Sequence, residues 1–244
     1  MAQWLELTMA ALAEWREKTR TVILPVGSVE EHGPHLPLGT DAFHALEVAR
    51  RAAARRPVLV APPLYYGLCR STREHPGTIS LSGLTLRAVI LDLGREFHRQ
   101  GFPCLLILSG HAGGTHMAML TDAGEALLEE IPTLRLAVVN MMELLREALA
   151  ARPGLVTTPG DAHAGEVETA LMLACRPELV QGRAPAERPA FPRYLLVRDK
   201  RRFWPGGVWG DPVRASAGQG EALLEAETQR LCQVIDDLEK NAAL

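Results

Sequence analysis

Apolar positions along this chain fall into two kinds of run. Short continuous runs, such as Thr21-Val22-Ile23-Leu24-Pro25-Val26 and Phe102-Pro103-Cys104-Leu105-Leu106-Ile107-Leu108, show no alternation and read as strands buried on both faces. They predict strands at 21–26, 57–61, 103–108 and 134–139. Longer stretches with helical spacing predict helices over 41–55, 83–100, 115–130, 141–150 and 165–175, and a last helix over 219–241 that packs back on the sheet. Residues Gln3 to Arg16 read as an amphipathic helix. Strand alternating with helix implies a mostly parallel central sheet with helices on both faces. The expected fold is therefore a three-layer α/β/α sandwich, one domain over residues 1–244. A domain near this size buries roughly 70–75% of the surface its unfolded chain exposes. Residues 182–218 break the pattern. They are rich in Pro and Gly, with basic residues from Arg198 to Arg202 and the aromatics Phe203, Trp204 and Trp209. Aromatics beside arginines commonly anchor interfaces, so this segment reads as a subunit contact or a pocket lid, with a peripheral surface loop as the alternative.

The polar residues between the runs carry the chemistry. The run at 21–26 opens into Gly27-Ser-Val-Glu-Glu-His-Gly-Pro-His-Leu-Pro-Leu-Gly-Thr-Asp41. Two carboxylates, two imidazoles and an aspartate so close together are costly to bury unless something positive sits among them. A pair of divalent metal ions fits that requirement. Glu30 and His32 are two apart and share one side of an extended chain, while Glu31 faces the other. Glu31 then orients loop or substrate, or is a plain supporting or exposed carboxylate. Asp41 opens a helix, where it can act as a cap or bridge two metals. His32 and His35 can also be read as ordinary loop histidines.

Two further clusters follow. The strand at 103–108 leads into Ser109-Gly-His-Ala-Gly-Gly-Thr-His116. His111 is the candidate ligand, His116 falls on the next helix, and the glycines allow close approach of ligands. The turn has neither the G-x-x-x-x-G-K-[ST] nor the G-x-G-x-x-G pattern, which argues against nucleotide binding. The third cluster is Gly160-Asp-Ala-His-Ala-Gly-Glu-Val-Glu-Thr169. If the helix begins near Ala164, His163 and Glu166 share a face, while Glu168 lies on another azimuth and supports from behind. A helix start decorated with acids is the alternative. Together the clusters supply the mixed N/O ligands of a two-metal site, for which Zn, Mn and Fe all suit.

Composition narrows the partners. With 26 Lys and Arg, 29 Asp and Glu and a net charge of −3, no basic run suggests nucleic acid. No long apolar stretch suggests a signal peptide or a membrane span, so a cytoplasmic location with reduced thiols is expected. No serine sits in a G-x-S-x-G context. The four cysteines lack C-x-x-C spacing; Cys104, Cys175 and Cys232 read as small buried hydrophobes. Cys69 lies in a loop, 65–75, whose Tyr66, Arg70, Arg73 and His75 could touch substrate or stay solvated.

These motifs, with His75-Pro-Gly-Thr-Ile-Ser-Leu81, resemble the creatininase family of metal-dependent amidohydrolases over roughly residues 20 to 175. The resemblance implies a creatininase-like fold, two divalent ions per chain and a homo-oligomer, in that family a hexamer. It places metal ligands at Glu30, His32, Asp41 in the bridging position, and His111. In creatininase the fifth ligand is a glutamate at the position of Gly113; members with glycine there use the glutamate of His-Ala-Gly-Glu, which is Glu166. His163 matches the proton-transferring histidine. His75, Thr78, Gly113 and Gly114 are the candidate substrate contacts. Two departures matter. Thr115 stands where many members have asparagine, and residues 152–161 lack the tryptophans with which creatininase covers its substrate. The metal chemistry is thus better supported than creatinine as substrate.

The implied reaction is hydrolysis of a C–N amide bond, cyclic like creatinine or a formyl amide, by hydroxide bridged between two metals, with His163 protonating the departing nitrogen. A lone general base contributes only about 10²–10⁴-fold, too little for so poor an electrophile. The alternatives are a peptidase of the same family that trims a peptide precursor, and a non-catalytic metal-stabilised oligomeric binding protein.

Overall fold

The computed structural model describes residues 2–150 and 152–240. Strand β2 (Thr21–Val26) is buried at every position and divides its side chains between two cores. Val22, Leu24 and Val26 pack with Leu105 and Ile107 of β4 (Cys104–Ser109). Ile23 packs on the opposite side with Leu106 and Leu108. A strand covered on both faces needs apolar residues throughout, which is why these runs do not alternate.

The sheet is ordered β1 (Ala2–Gln3), β3 (Leu59–Val60), β2, β4, β5 (Arg135–Asn140), and every one of these pairs is parallel. The expected α/β/α sandwich is therefore found, with β1 as a short added edge. On one face lie α1 (Met9–Arg16), α3 (Gly83–Arg99) and α4 (Gly114–Glu130), anchored by Leu12, Leu86, Ile90, Phe97, Leu120 and Leu127. On the other lie α2 (Thr40–Ala53), α5 (Met141–Ala150), α6 (Glu166–Cys175) and α7 (Ala217–Lys240), through Val48, Leu145, Leu171, Leu223, Leu231 and Ile235. Among the described residues, no helix is long and apolar enough to cross a membrane.

Two local outcomes differ from the expectation. The stretch 3–16 is not one helix. Gln3 pairs with Val60, Trp4 packs on Phe97 and Phe102, and α1 starts only after Thr8, whose hydroxyl accepts from Ala11 N. Strand β3 is shorter than 57–61, because the chain turns away at Pro62-Pro63. Pro25 survives inside a central strand for the same reason: its carbonyl faces that departing chain and accepts from Leu64 N at 2.9 Å, so no ladder donor is missed on that side. The final helix ends at Lys240, and the expected terminus at 241 lies outside the described residues. Arginines cluster at the carboxyl end of α2 and just after it, and they are paired: Arg51 with Glu221, Arg55 with Glu225 and Arg56 with Asp236 tie this end to α7.

Register places the site. Val26 pairs with Ser109, and Ser109 with Asn140, so these three strands end level. The loops that follow β2 and β4 leave from one edge, the carboxyl edge at which open α/β sheets bind ligands.

Candidate metal centre and active site

Three segments meet at that edge. The loop after β2 carries Glu30 and His32, and the first turn of α2 carries Asp41. The turn after β4 carries His111. It lies so close on α2 that a Cβ at Gly110 would sit 2.1 Å from the Asp41 carbonyl oxygen. The segment before α6 carries His163, and α6 itself carries Glu168.

Asp41 is the centre of the arrangement. Its two carboxylate oxygens face two different imidazoles: Oδ1 lies 3.2 Å from His32 Nε2, and Oδ2 lies 3.2 Å from His111 Nδ1. Glu30 Oε2 is 2.8 Å from the same His111 nitrogen, and Glu168 Oε2 is 3.7 Å from His32 Nε2. The far side of each imidazole is held by a carbonyl. His32 Nδ1 is 3.1 Å from Glu30 O, and His111 Nε2 is 3.2 Å from Leu68 O. Those carbonyls take the ring N–H groups and leave His32 Nε2 and His111 Nδ1 facing carboxylates, acceptor against acceptor. His32 Nε2 is buried and has no hydrogen-bond partner. All four residues at the centre are buried, with Glu30 2%, His32 0%, Asp41 3% and His111 7% exposed.

Such a cluster requires positive charge, and the ionisation of its members says so. Burial alone would lower His32, yet Asp41 and Glu168 overcome it and push its pKa up to about 10. His111 is likewise raised despite its burial, by Glu30 and Asp41. Burial would raise Glu30, but His111 draws it down to about 2, and Asp41 is held well below the carboxylate range by His32 and His111 in the same way. Protons on the imidazoles satisfy the cluster in one way; cations between the two halves of Asp41 satisfy it in another. His32, Asp41 and Glu168 form one group of donors close enough to share an ion, Glu30, Cys69 and His111 form a second, and Glu30, His32 and His163 form a third. The mixed nitrogen and oxygen donor set suits a first-row divalent metal.

Glu166 is not in the cluster. Its carboxylate accepts from Thr157 N and Oγ1, Thr158 N and Gln219 Nε2. The family resemblance placed a metal ligand at this residue, and a helix running from Ala164 would have set it on one face with His163. Helix α6 starts at Glu166 instead, after a left-handed Ala164 with φ of 48°, and Asp161 caps it by accepting from Glu166 N and Val167 N. That start turns Glu166 away from the cluster, where it stays buried among Thr157, Thr158 and Gln219. Glu168 turns back to accept from Ala164 N and to face His32. The acid read as support from behind is therefore the one at the cluster.

A cavity of about 270 Å³ opens onto these groups, walled by Glu30, Asp41, His111, His163 and Glu168, by Gly113 and Gly114, and by Trp204 and Trp209. Of the expected substrate contacts, Gly113 and Gly114 line it. His75 and Thr78 do not; they support Glu31. Thr78 Oγ1 accepts from Glu31 N at 3.0 Å, and His75 Nε2 is 2.6 Å from Trp204 O. Glu31 is buried, with Oε1 lying 3.6 Å from His163 Nε2 and 3.8 Å from His75 Nδ1. His163 is pinned through Nε2 to Glu31 O at 2.9 Å, and its ring lies between His32 and Trp204 with centroids 4.3 and 5.0 Å away. His163 and Trp209 exchange two backbone hydrogen bonds, 3.2 and 2.7 Å.

His35 and His116 lie outside the cluster. His35 Nε2 meets Thr169 Oγ1 at 2.8 Å. His116, on α4 as expected, takes a bond from Leu68 N and packs edge-on against His111; burial and His111 push its pKa down to about 3. Cys69 is buried beside Glu30 and His111, which its loop position did not foretell, and burial raises its thiol to about 12. Sequence reasoning also missed Thr72, whose hydroxyl donates to Glu30 Oε1, and Ser28, whose hydroxyl donates to Asp41. The small hydroxyls next to the carboxylates were the only available signal.

Comparison with known proteins agrees with this geometry. A family model described as "Creatininase: Creatinine amidohydrolase" matches residues 5–235. The mycofactocin precursor peptide peptidase of Mycobacterium ulcerans (strain Agy99) is 33% identical over 221 residues, covering 83% of this chain and 79% of the relative. The creatinine amidohydrolase of Pseudomonas putida is 30% identical over 229 residues, with 88% of each chain covered. A crystal structure of creatinine amidohydrolase superposes with a TM-score of 0.89 at 27% identity, covering 99% of both chains. Related creatininase structures are described as a Zn–Zn type, with a TM-score of 0.86, and as a Mn form, with 0.88.

Proposed function

This chain belongs to the creatininase family, and from that premise we propose that it is a metal-dependent hydrolase of C–N amide bonds. The observation that carries the reading is Asp41, whose two oxygens address two separate imidazoles, each with its own additional carboxylate. We propose Glu30, Asp41 and His111 as holders of one divalent ion and His32, Asp41 and Glu168 as holders of the other, with Zn, Mn or Fe as candidates. Glu168 thus takes the place expected of Glu166. Ions held there acidify water and polarise a carbonyl, which is what amide hydrolysis near neutral pH needs.

The chain's own residues do the rest. His163 is anchored through Nε2, so Nδ1 is the ring atom free to exchange a proton with the departing nitrogen. Glu31 opposes the loss of positive charge from that ring. His163 is raised despite burial and the neighbouring His32, because the Glu31 carboxylate lies against it. Trp204 and Trp209 exclude water from one wall of the cavity. Gly113 and Gly114 let a substrate approach the backbone at the start of α4. The peptidase reading remains the second choice, supported by the resemblance to peptide peptidases. The non-catalytic reading is disfavoured, because His163 lines the same cavity as the ligands. Residues 1–244 would act as one domain, in the cytoplasm and as a homo-oligomer, a hexamer by family resemblance. The free cysteines among the described residues are compatible with a reducing compartment.

The test is metal content by elemental analysis on the wild type and Asp41→Ala, beside hydrolysis of creatinine, formamides and short peptides. About two ions per chain, lost with Asp41, and turnover of one panel member are expected. Full activity in protein stripped of metal would overturn the reading.

A further inference from the structure

A second cavity, of about 290 Å³, adjoins the first and shares Ser71 and Trp209 with it. The rest of its wall is apolar, from Phe191, Leu195, Leu196 and Val197, with a single cation, Lys200. A left-handed residue, Tyr194 with φ of 63°, turns the chain just before Leu195, and Leu195 and Leu196 stand 68% and 102% exposed at the rim of the cavity. The two cavities are joined by an aromatic wall. His163 packs on Trp204, Trp204 on Trp209, and Trp209 on Phe191, at centroid distances of 5.0, 6.0 and 6.4 Å. Among the described residues Lys200 makes no ion pair; its Nζ meets Ser71 Oγ at 3.4 Å, on the shared rim.

The direction of that wall decides which half of a substrate lies there. In hydrolysis, water adds across the C–N bond. The carbonyl carbon keeps the new oxygen as a carboxylate, and the nitrogen leaves with a proton. That proton comes from His163, so the nitrogen sits at His163 and the wall running outward from His163 follows the amine half. An apolar pocket with one well-placed polar group is the common form of a specificity site. Lysine, a compact point charge, suits a carboxylate.

We propose that this pocket binds the amine half of the substrate and that this half is an apolar α-amino acid with a free carboxylate: side chain among Phe191, Leu195, Val197 and Trp209, carboxylate at Lys200. The substrate class is an amide of the form acyl–NH–CH(R)–COO⁻ with large apolar R. It can come from a small N-acyl amino acid or from the carboxyl end of a peptide. The inference rests on the amide-hydrolase reading above and deepens it.

Metal-loaded protein is assayed for release of free amino acid from N-acetyl-phenylalanine, N-acetyl-alanine, N-acetyl-phenylalaninamide and a tetrapeptide ending in phenylalanine. Burying a phenyl group is worth about 10–100-fold in kcat/KM over alanine, and a half-exposed lysine roughly fivefold over the carboxamide. Val197→Asp should erase the first ratio and Lys200→Met the second. The tetrapeptide arm says which source supplies the substrate. Ratios near one in the wild type, or ratios that survive in both variants, would overturn the proposal. So would a Val197→Asp protein that dissociates in sedimentation yet keeps its preference for phenylalanine, because a second copy of the chain would then fill the pocket. If the wild type cleaves none of the four yet turns over creatinine or a formamide, the substrate class proposed here is overturned; if it cleaves nothing in either panel, the hydrolase reading fails on its own. The pocket is then judged by calorimetric binding of N-acetyl-phenylalanine: weakening in both variants supports it, and equal affinity in all three proteins defeats it.

Discussion

The loop at 27–41 and the segment at 182–218 border the same cavity, but they are built on opposite terms. The loop leaves a buried strand and places Glu30, His32 and Asp41 with backbone geometry that neighbouring residues determine. The segment has almost no regular structure, only three-residue turns at Lys200–Arg202 and Pro212–Arg214, and contributes side chains that meet the site from far away in the chain. The first region holds charges that have to be compensated. The second holds aromatic surface that has to be covered. The contrast teaches that the polar cluster of this protein is a local property of the strand ends, while the aromatic wall beside it is a product of long-range packing.

The sharpest break of that comparison is Asp41→Ala. In the proposed site both ions share this residue, so metal content should fall from about two ions per chain to near none. Activity should drop about 10⁴-fold or more, as expected when residues that act as a unit lose their common member. Next comes the contrast between the two acids of α6. Glu168→Gln should remove about one ion and at least about 10²-fold of activity. Glu166→Gln should retain about two ions and instead cost about 1–2 kcal/mol of stability, because its bonds to Thr157, Thr158 and Gln219 weaken. Elemental analysis beside chemical denaturation separates the two outcomes, and equal metal loss in both would return Glu166 to the site.

On the other side of the comparison, Trp209→Leu should keep its metals and lose about 10²-fold in kcat/KM, because a small displacement of a positioned group is enough to do that. The last effect concerns pH. Burial pushes the Asp161 carboxyl up to about 6 from the usual value near 3.8, against the opposing pull of the backbone N–H groups it caps. The folded protein therefore holds this proton to higher pH than the unfolded chain does. The associated stability is complete below about pH 4 and is lost as pH rises through about 6. Asp161→Asn should flatten that decline, by an amount on the order of 2–3 kcal/mol between pH 4 and 7. Unfolding curves that keep the same slope in both proteins would remove Asp161 as its source.

The parts readable in sequence are those whose cause is local. Strands covered on both faces announce themselves as unbroken apolar runs, and the residues after Val26 and Leu108 are polar because the strands end there. Glu30, His32, Asp41 and His111 follow from that placement. The choice between Glu166 and Glu168 was not readable. It turns on one residue, Ala164, adopting a left-handed conformation, and on Asp161 capping the helix from five residues upstream. The aromatic wall was readable only in part: the aromatics of 182–218 pointed to a pocket lid or a subunit contact without saying which residue they would meet. The stretch 152–161 lacks tryptophan, and nothing local says that Trp204 and Trp209 occupy the space beside His163. Only the folded chain brings them there, after α5 and α6 have set the position of His163.

The two-bond backbone ladder between His163 and Trp209 has a consequence for redesign. A Cβ at the neighbouring Gly210 would lie 2.0 Å from the Asp161 carboxylate, so the strip carrying Trp209 is also wedged against the cap of α6. In the proposed mechanism the proton donor and the near end of the substrate wall are therefore tied together. Libraries that vary Trp209 or Gly210 to change selectivity will disturb turnover in the same clones. Variation at Phe191 and Val197, at the far end of the wall, can alter preference while leaving the histidine where it is. A breeder of new activities should start from that end.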